Sequence, residues 1–307
     1  EGIRMQKKQT TAEAEIEKEK LNVDMYALNS RVNDLYFGIL LLDEQLKQNA
    51  LLQDELERNY RQITAYVENG IANQADLDAV KVEQLNTKQK RVELASSRMA
   101  YLKMLSLLVG EKLSQETVLE KPVPQDDISA VGEIRRPELS LFNAQGVGLQ
   151  VQEKALNVRH LPQFGLFVQG AYGNPGLNML KNEFSPYYIA GVRLSWNFGS
   201  LYTLKNDRKV IENKRRQLDN NRDVFLFNTR LEMTQQDQAI QSLEKQMQDD
   251  DEIIRLRTNI RKSAEAKVAN GTLTVTEMLR ELTNESLARQ SKALHEIQRL
   301  MGIYQLK

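Results

Sequence analysis

Val67-Glu68-Asn69-Gly70 comes back later in the chain as Val268-Ala269-Asn270-Gly271, and each glycine is followed six residues on by an acid, Asp76 in the first copy and Glu277 in the second. Upstream, Asn29-Ser30-Arg31-Val32 comes back as Asn228-Thr229-Arg230-Leu231 in nearly the same register. Two anchors and one spacing held together mark an internal repeat, so the chain is built twice from one supersecondary unit. In each unit the Asn-Gly pair supplies the left-handed residue that closes a helix C-terminus. Asn73-Gln74-Ala75-Asp76 and Thr274-Val275-Thr276-Glu277 then read as a helix cap with an acid at the third helical position, which satisfies the free amides of a new helix start. One helix ends and the next begins almost at once, so each copy is a helical hairpin with a tight tip.

Outward from the first tip, Leu28, Val32, Leu35, Ile39 and Leu42 step by four and three, and the stripe resumes at Leu52, Leu56, Tyr60, Ile63 and Val67. This is the apolar seam of a helix that packs along another helix. No proline interrupts Ile3 to Glu68, which predicts a helix on the order of 100 Å long. The second copy behaves alike from Leu201 to Ala269, with Leu204, Ile211, Leu218 and Phe225 seven apart. Its later part, Gln235 to Glu252, is sparsely apolar and is expected to face water, as the wall of a water-filled tube does. The returning helices, Asp76 to Val109 and Glu277 to Met301, are about half as long as the outgoing ones. Lys121-Pro122-Val123-Pro124 is linker chemistry, and a further helix starts at Arg136-Pro137-Glu138-Leu139, with proline at its first position and an acid behind it.

After Leu161-Pro162 the period changes to two. Tyr188, Ala190, Val192, Leu194, Trp196 and Phe198 alternate with Ile189, Gly191, Arg193, Ser195 and Asn197, and Phe164 to Tyr172 is the expected partner strand, with Phe167 out of pattern. Both have the length of membrane-crossing strands. Tyr172, Tyr187 and Tyr188 at one end, and Trp196 and Phe198 at the other, are placed as interfacial girdles are. The segments expected are therefore a long hairpin over 1–110 with its tip near 69–75, a linker over 111–134, a helix over 135–161, a β-hairpin over 162–199 with its loop at 173–187, and a second long hairpin over 200–307 with its tip near 270–276.

Composition agrees with an extended, mainly helical chain. Of 307 residues, 27% are charged and 41% apolar, too polar for one compact core of this size. Lys and Arg number 42 against 42 Asp and Glu, so no basic excess recommends nucleic acid as a partner. The absence of cysteine rules out disulfides, thiolate nucleophiles and thiolate metal sites. Tyr36 to Leu42 is the longest apolar run, far short of the roughly 20 residues of a membrane-spanning helix. His160 and His295 stand isolated, and Asp249-Asp250-Asp251-Glu252 lacks the alternation and glycine of a calcium loop and reads as a solvated face. No nucleophile elbow, Walker loop or dinucleotide fingerprint is present, so an enzyme, a cofactor or a bound metal is not expected.

In this order, Arg136-Pro137-Glu138-Leu139, Leu161-Pro162, a hairpin ending Leu194-Ser195-Trp196-Asn197-Phe198-Gly199, and a long helix with a glycine tip resemble the second half of the TolC family of outer membrane efflux proteins. Glu1 to Gly110 resembles the long hairpin of that family's first half. The resemblance implies a homotrimer whose strands share one outer-membrane β-barrel and whose helices form a periplasmic α-barrel. It also implies that a helix and β-hairpin corresponding to Arg135 to Gly199, with a signal peptide, lie upstream of Glu1. It places the chain in the outer membrane of a Gram-negative bacterium, extending into the periplasm, in contact with outer-membrane lipid. Its partners would be a periplasmic adaptor (membrane fusion protein) and an inner-membrane RND or ABC transporter.

The resemblance further implies that residues just past the second tip line a pore constriction, with Glu277 in the first such position and Arg280 where the best-known member has a second acid; Asp76 is the equivalent acid of the first tip. Glu277 and Arg280 are also spaced to pair with each other. Asn69, Gly70, Asn270, Gly271 and Thr274 form the tips at which an adaptor docks. Tyr188, Val192, Leu194, Trp196 and Phe198 are expected to face lipid, and Arg193 and Asn197 the lumen. The bland reading of Asp76 and Glu277 is helix capping, which is compatible with a gating role. The leading functional reading is an exit duct of a tripartite efflux or type I secretion system. The competing one, a structural periplasmic adaptor without a pore, calls for one helical hairpin in a small β-domain rather than two hairpins flanking an amphipathic strand pair.

Overall fold

The described residues of the computed structural model are 2–123, 134–159, 161–174, 176–177, 179–180, 182–196 and 199–305. Expectations placed on the linker stretch 124–133, His160, Asn197 and Phe198 lie outside them. The order of elements is α1 (Gly2–Glu68), α2 (Gln74–Val109), α3 (Pro137–Arg159), β1 (Gln163–Gly173), β2 (Ser185–Ser195), α4 (Ser200–Ala269) and α5 (Val275–Gln305). The proline-free stretches became single helices of 67 and 70 residues, α1 and α4. By contacts the chain divides into two compact units, Glu1–Asp24 with Ile134–Phe227, and Met25–Glu133 with Asn228–Lys307.

In the second unit the apolar stripe of α1 is the surface that packs. Leu35 and Ile39 meet Leu102 and Leu105 of α2. One helical face round, Phe37 and Leu40 meet Ile297 and Leu300 of α5. Near the tips all four helices converge, with Leu56 and Ile63 of α1, Val80 of α2, Ala264 and Val268 of α4, and Val275, Met278, Leu279 and Leu282 of α5 in one cluster. Polar contacts supplement the seam: the Asn49 side-chain amide, buried in α1, donates to the carbonyl of Thr87 at 3.1 Å. Gly110, in the left-handed conformation at φ 74°, ends α2, and the chain then turns back along the hairpin. Arg98 holds it there, donating to the carbonyls of Gln115 and Thr117 while pairing with Asp43.

The first unit contains α3 and the strand pair. Pro137 opens α3, and Glu138 lies in its first turn and pairs with Arg136. The Arg136 guanidinium lies 5.4 Å from the Phe225 ring centroid, and Phe142 meets the same ring at 5.8 Å. The heptad residues Leu204, Ile211, Leu218 and Phe225 of α4 are buried or half-buried in a stretch that is otherwise largely exposed. Arg215 pairs with Glu153 of α3 at 2.8 Å.

β1 and β2 are antiparallel from Gln163↔Ser195 to Gly173↔Ser185. Phe164↔Leu194, Leu166↔Val192 and Val168↔Ala190 are opposite one another, so the alternation puts the apolar sets of both strands on one face. The second strand starts and stops three residues earlier than the 188–198 stretch that its alternation marks. Pro162, next in line to oppose Trp196, has no amide to donate, so the ladder ends at Gln163↔Ser195. Phe167, out of pattern in the sequence, has a structural reason. It is opposite Gly191, where a Cβ would come within 2.9 Å of its ring. The ring fills the glycine's missing side chain and receives the Arg193 guanidinium 5.4 Å from its centroid.

Close packing in the hairpin makes one glycine indispensable. A Cβ at Gly38 of α1 would stand 2.6 Å from the Tyr101 ring of α2. Gly38→Leu is expected to cost about 3 kcal/mol by overpacking, read as a drop in thermal midpoint by circular dichroism. In the Tyr101→Ala background the same substitution should cost far less, because the atoms it strikes are gone. Additive costs in the double variant would disprove the contact.

Candidate functional site

A helix leaves its last carbonyls and first amides unpaired, and a chain that ends one long helix and starts another must satisfy both within a few residues. The two tips solve this in the same way. At the first, the Gly70 amide donates to Val67 O at 3.1 Å and the Ile71 amide to Tyr66 O at 2.8 Å. At the second, the Gly271 amide donates to Val268 O and the Thr272 amide to Lys267 O, both at 2.9 Å. These are the paired bonds of a Schellman closure, with Gly70 at φ 72° and Gly271 at φ 66° in the left-handed region. Asn69 and Asn270 each donate a side-chain amide back to the preceding turn, to Ala65 O at 2.7 Å and Ala266 O at 2.8 Å.

The new helix starts are equally matched. The Asp76 amide donates to Asn73 Oδ1 at 3.0 Å, and the Asn73 amide donates to Asp76 Oδ2 at 3.1 Å. In the second copy the Glu277 amide donates to Thr274 Oγ1 at 3.2 Å, and both the amide and the hydroxyl of Thr274 donate to Glu277 Oε2, at 3.1 and 2.8 Å. Each candidate acid is thus committed to its own capping box. Hydrogen bonds from Thr274, hydroxyl first and amide second, hold the Glu277 carboxyl below the usual glutamate range, with the nearby positive charge of Arg280 assisting. Glu277 is therefore fully ionised at neutral pH while remaining in solvent.

The pairing of Glu277 with Arg280 that the spacing permits is not made. Arg280 lies 3.6 Å from Glu281 and remains largely exposed, while Glu281 also faces Arg257 of α4 at 3.5 Å. The capping box engages the Glu277 carboxylate first, which leaves Arg280 to its neighbour.

Sequence reasoning missed the groups that hold the second hairpin together. Glu285 of α5 is buried, with 3% of its side chain exposed, and receives hydrogen bonds from Thr258 and Arg261 of α4 and from Arg289. Burial pushes the Glu285 carboxyl up, but the bonds from Arg289, Thr258 and Arg261 outweigh it, so the net shift is downward. Arg261 also reaches Glu55 of α1, at 3.9 Å. Farther from the tip, His295 Nδ1 meets Asp250 at 2.9 Å, Lys292 meets Asp251, and Arg299 meets Glu244. Asp250 therefore departs from the solvated face expected of 249–252. It is buried, because the helical period turns it toward α5 while Asp249, Asp251 and Glu252 stay exposed. The available signal was the run of Arg257, Arg261 and Glu265 on α4 facing Glu281, Glu285 and Arg289 on α5, all spaced by four.

On the strand pair, Tyr188, Val192 and Leu194 share the exposed apolar face with Phe164, Leu166 and Val168. Arg193 is on the opposite face with Gly191 and Phe167, and Trp196 follows the last paired residue of β2. No described helix is long and apolar enough to cross a membrane.

The fold of the chain is shared with solved structures. The chain matches the CmeC outer membrane channel of Campylobacter jejuni at a TM-score of 0.80 and 12% identity, over 99% of this chain and 66% of that one. It matches the outer membrane protein VceC of Vibrio cholerae at 0.79 and 11%, over 99% and 75%. The open-state MtrE outer membrane channel of Neisseria gonorrhoeae matches at 0.72 and 12%, over 99% and 70%. The chain has the TolC-type outer membrane channel fold. It spans about two thirds to three quarters of the length of these relatives. No protein-family profile matches the sequence, and no curated protein is significantly similar to it.

Two measurements check the site's construction. Ala at Gly70 or Gly271 must adopt a positive φ and should cost about 1 kcal/mol each; unchanged thermal midpoints would remove the strain argument. Glu285→Gln removes the most buried of the carboxylates around Arg261, which keeps Glu265 and Glu55, and should cost about 2 kcal/mol at neutral pH. The folded pKa of Glu285 lies below its unfolded value, so its contribution is complete above the unfolded value and disappears as pH falls through the folded one. Melting curves from pH 7 into the acid range should therefore converge for wild type and Glu285→Gln, and a constant gap would refute the assignment.

Proposed function

We propose that this protein is the outer-membrane exit duct of a tripartite efflux or type I secretion system. It conducts cargo passively from an inner-membrane transporter of the RND or ABC class across periplasm and outer membrane. The observation that carries the reading is the strand pair, 11 residues per strand, in which Phe164, Leu166, Val168, Tyr188, Val192 and Leu194 share one exposed face, a length and pattern that suit an outer-membrane barrel. Two strands leave unpaired edges that lipid does not tolerate, so the barrel is shared among copies, as a homotrimer of the complete protein. Tyr188, Val192, Leu194 and Trp196 face lipid in this arrangement and Arg193 faces the lumen.

The hairpin tips are the periplasmic entrance. Asn69, Gly70, Asn270, Gly271 and Thr274 form the surface that an adaptor contacts, and Glu277, with Arg280 and Asp76 nearby in role, sets the charge at the constriction. The capping box fixes the Glu277 carboxylate in place and keeps it ionised. An adaptor that binds only the outward-shifted hairpins moves the population toward the open state.

Single-channel conductance of the complete protein in planar bilayers tests this. Glu277→Lys is expected to lower cation preference and change conductance relative to wild type. Identical conductance and ion selectivity would remove Glu277 from the pore, while a folded trimer that never conducts, even with adaptor present, would favour a structural role.

A further inference from the structure

The strand ladder ends at Gln163↔Ser195, and the helical turns next to it carry an uneven charge. In the first unit α3 runs antiparallel to α4, with Phe142 against Phe225, Glu153 on Arg215 and Asn157 on Arg208, so Arg159 stands level with the start of α4. In the register that relates Asn29–Val32 to Asn228–Leu231, Ile3 of α1 is the equivalent of Tyr202. Farther along α1, Ile16 lies against α3, 3.0 Å from where a Cβ of Gly148 would stand. Residues 2–8, 156–159 and 200–209 therefore form one layer beside the strands.

In this layer Arg4, Lys7, Lys8, Arg159, Lys205 and Lys209 are exposed, and none has an ion pair among the described residues. Arg208 donates to Asn157 Oδ1 at 2.7 Å. Asp207, the one acid of these turns, accepts from the Thr203 hydroxyl at 2.9 Å. One or two turns farther from the strands the balance returns, with Lys18 paired to Glu15 and Arg216 to Glu212. A chain with 42 basic and 42 acidic residues thus gathers unpaired cations at one height. Large apolar side chains accompany them, Ile3 at 87% and Tyr202 at 89% exposure. Tyr202, Lys205 and Lys209 step by three and four along the side of α4 away from Leu204 and Ile211, and Ile3 and Lys7 are one turn apart on α1. On both helices the apolar residue is nearer the strands, with the lysines about 4 to 11 Å beyond it.

That is the order of a bilayer interface, hydrocarbon first and phosphate next. We propose that this layer is a docking surface for anionic phospholipid headgroups of the periplasmic leaflet, with Ile3 and Tyr202 at the hydrocarbon edge and Lys7, Arg159, Lys205 and Lys209 on the phosphates. The proposal rests on the channel reading, which puts the strand pair in the outer membrane, and adds to it a lipid class and residues outside the strands. The occupant is lipid because the surface begins where the apolar strand face ends, and its charge complements an anionic headgroup. A water-filled lumen would leave Ile3 and Tyr202 without apolar contact.

Trp196 is the one tryptophan of the chain and follows the last ladder pair. Its fluorescence, taken as the difference between the complete protein and its Trp196→Phe variant, reads lipid contact. The complete protein is reconstituted in phosphatidylcholine vesicles in which brominated phosphatidylcholine or brominated phosphatidylglycerol replaces a rising share of the lipid. The phosphatidylglycerol is expected to reach half-quenching at about a fifth of the mole fraction that the phosphatidylcholine needs, and raised salt should bring the two curves together. Lys7→Gln, Lys205→Gln and Lys209→Gln combined should abolish most of the difference. Equal quenching by both lipids in the unsubstituted protein, or a preference that survives the triple substitution, overturns the proposal and leaves the channel reading standing. Trp196 quenched by neither lipid overturns both.

Discussion

A helix terminus that neither water nor a side chain satisfies is expensive, and the architecture of this chain depends on how two such termini are closed back to back. At each tip a left-handed glycine pairs the last carbonyls, and a capping box pairs the next amides, with two residues between the glycine and the cap. This fixes where α1 turns into α2 and α4 into α5, and so fixes which residues stand level with each other along each hairpin. The apolar clusters follow from that register. Leu35 and Ile39 pack with Leu102 and Leu105, and Glu285 faces Arg261, because the turn leaves no slack to slide.

The two hairpins use one design with different chemistry. The first is held chiefly by aliphatic packing, with Asn49–Thr87 and Arg98–Asp43 as polar insertions. The second is laced by ion pairs from Arg257–Glu281 near the tip to Arg299–Glu244 farther up. Ion pairs at a half-exposed interface are individually weak, but the buried Glu285 is different in kind, since its charge is held by Arg261, Arg289 and Thr258 together rather than by water. The sparse apolar content of α4, read from sequence as a water-facing wall, is also the reason its inner contacts had to be ionic.

The strand pair imposes the other constraint. Its apolar face is continuous because register aligns the alternation of β1 with that of β2. Phe167 shows how a breach of alternation is absorbed, by placing a ring over Gly191.

Much of the fold was legible in residues alone because it rests on local rules. Proline-free heptad stretches, Asn-Gly tips, cap-plus-acid starts and a period-two segment each act over a few residues. The candidate acids Asp76 and Glu277 were found by the same means, since a capping box is a four-residue device. What was not legible depended on pairing between distant segments. The burial of Asp250 against His295, the Glu285 cluster, the preference of Arg280 for Glu281 over Glu277, and the early end of β2 all follow from which helix face or strand residue stands opposite. Periodicity tells that a face is buried; only the assembled helices decide against what, because a neighbour's position comes from packing many residues away.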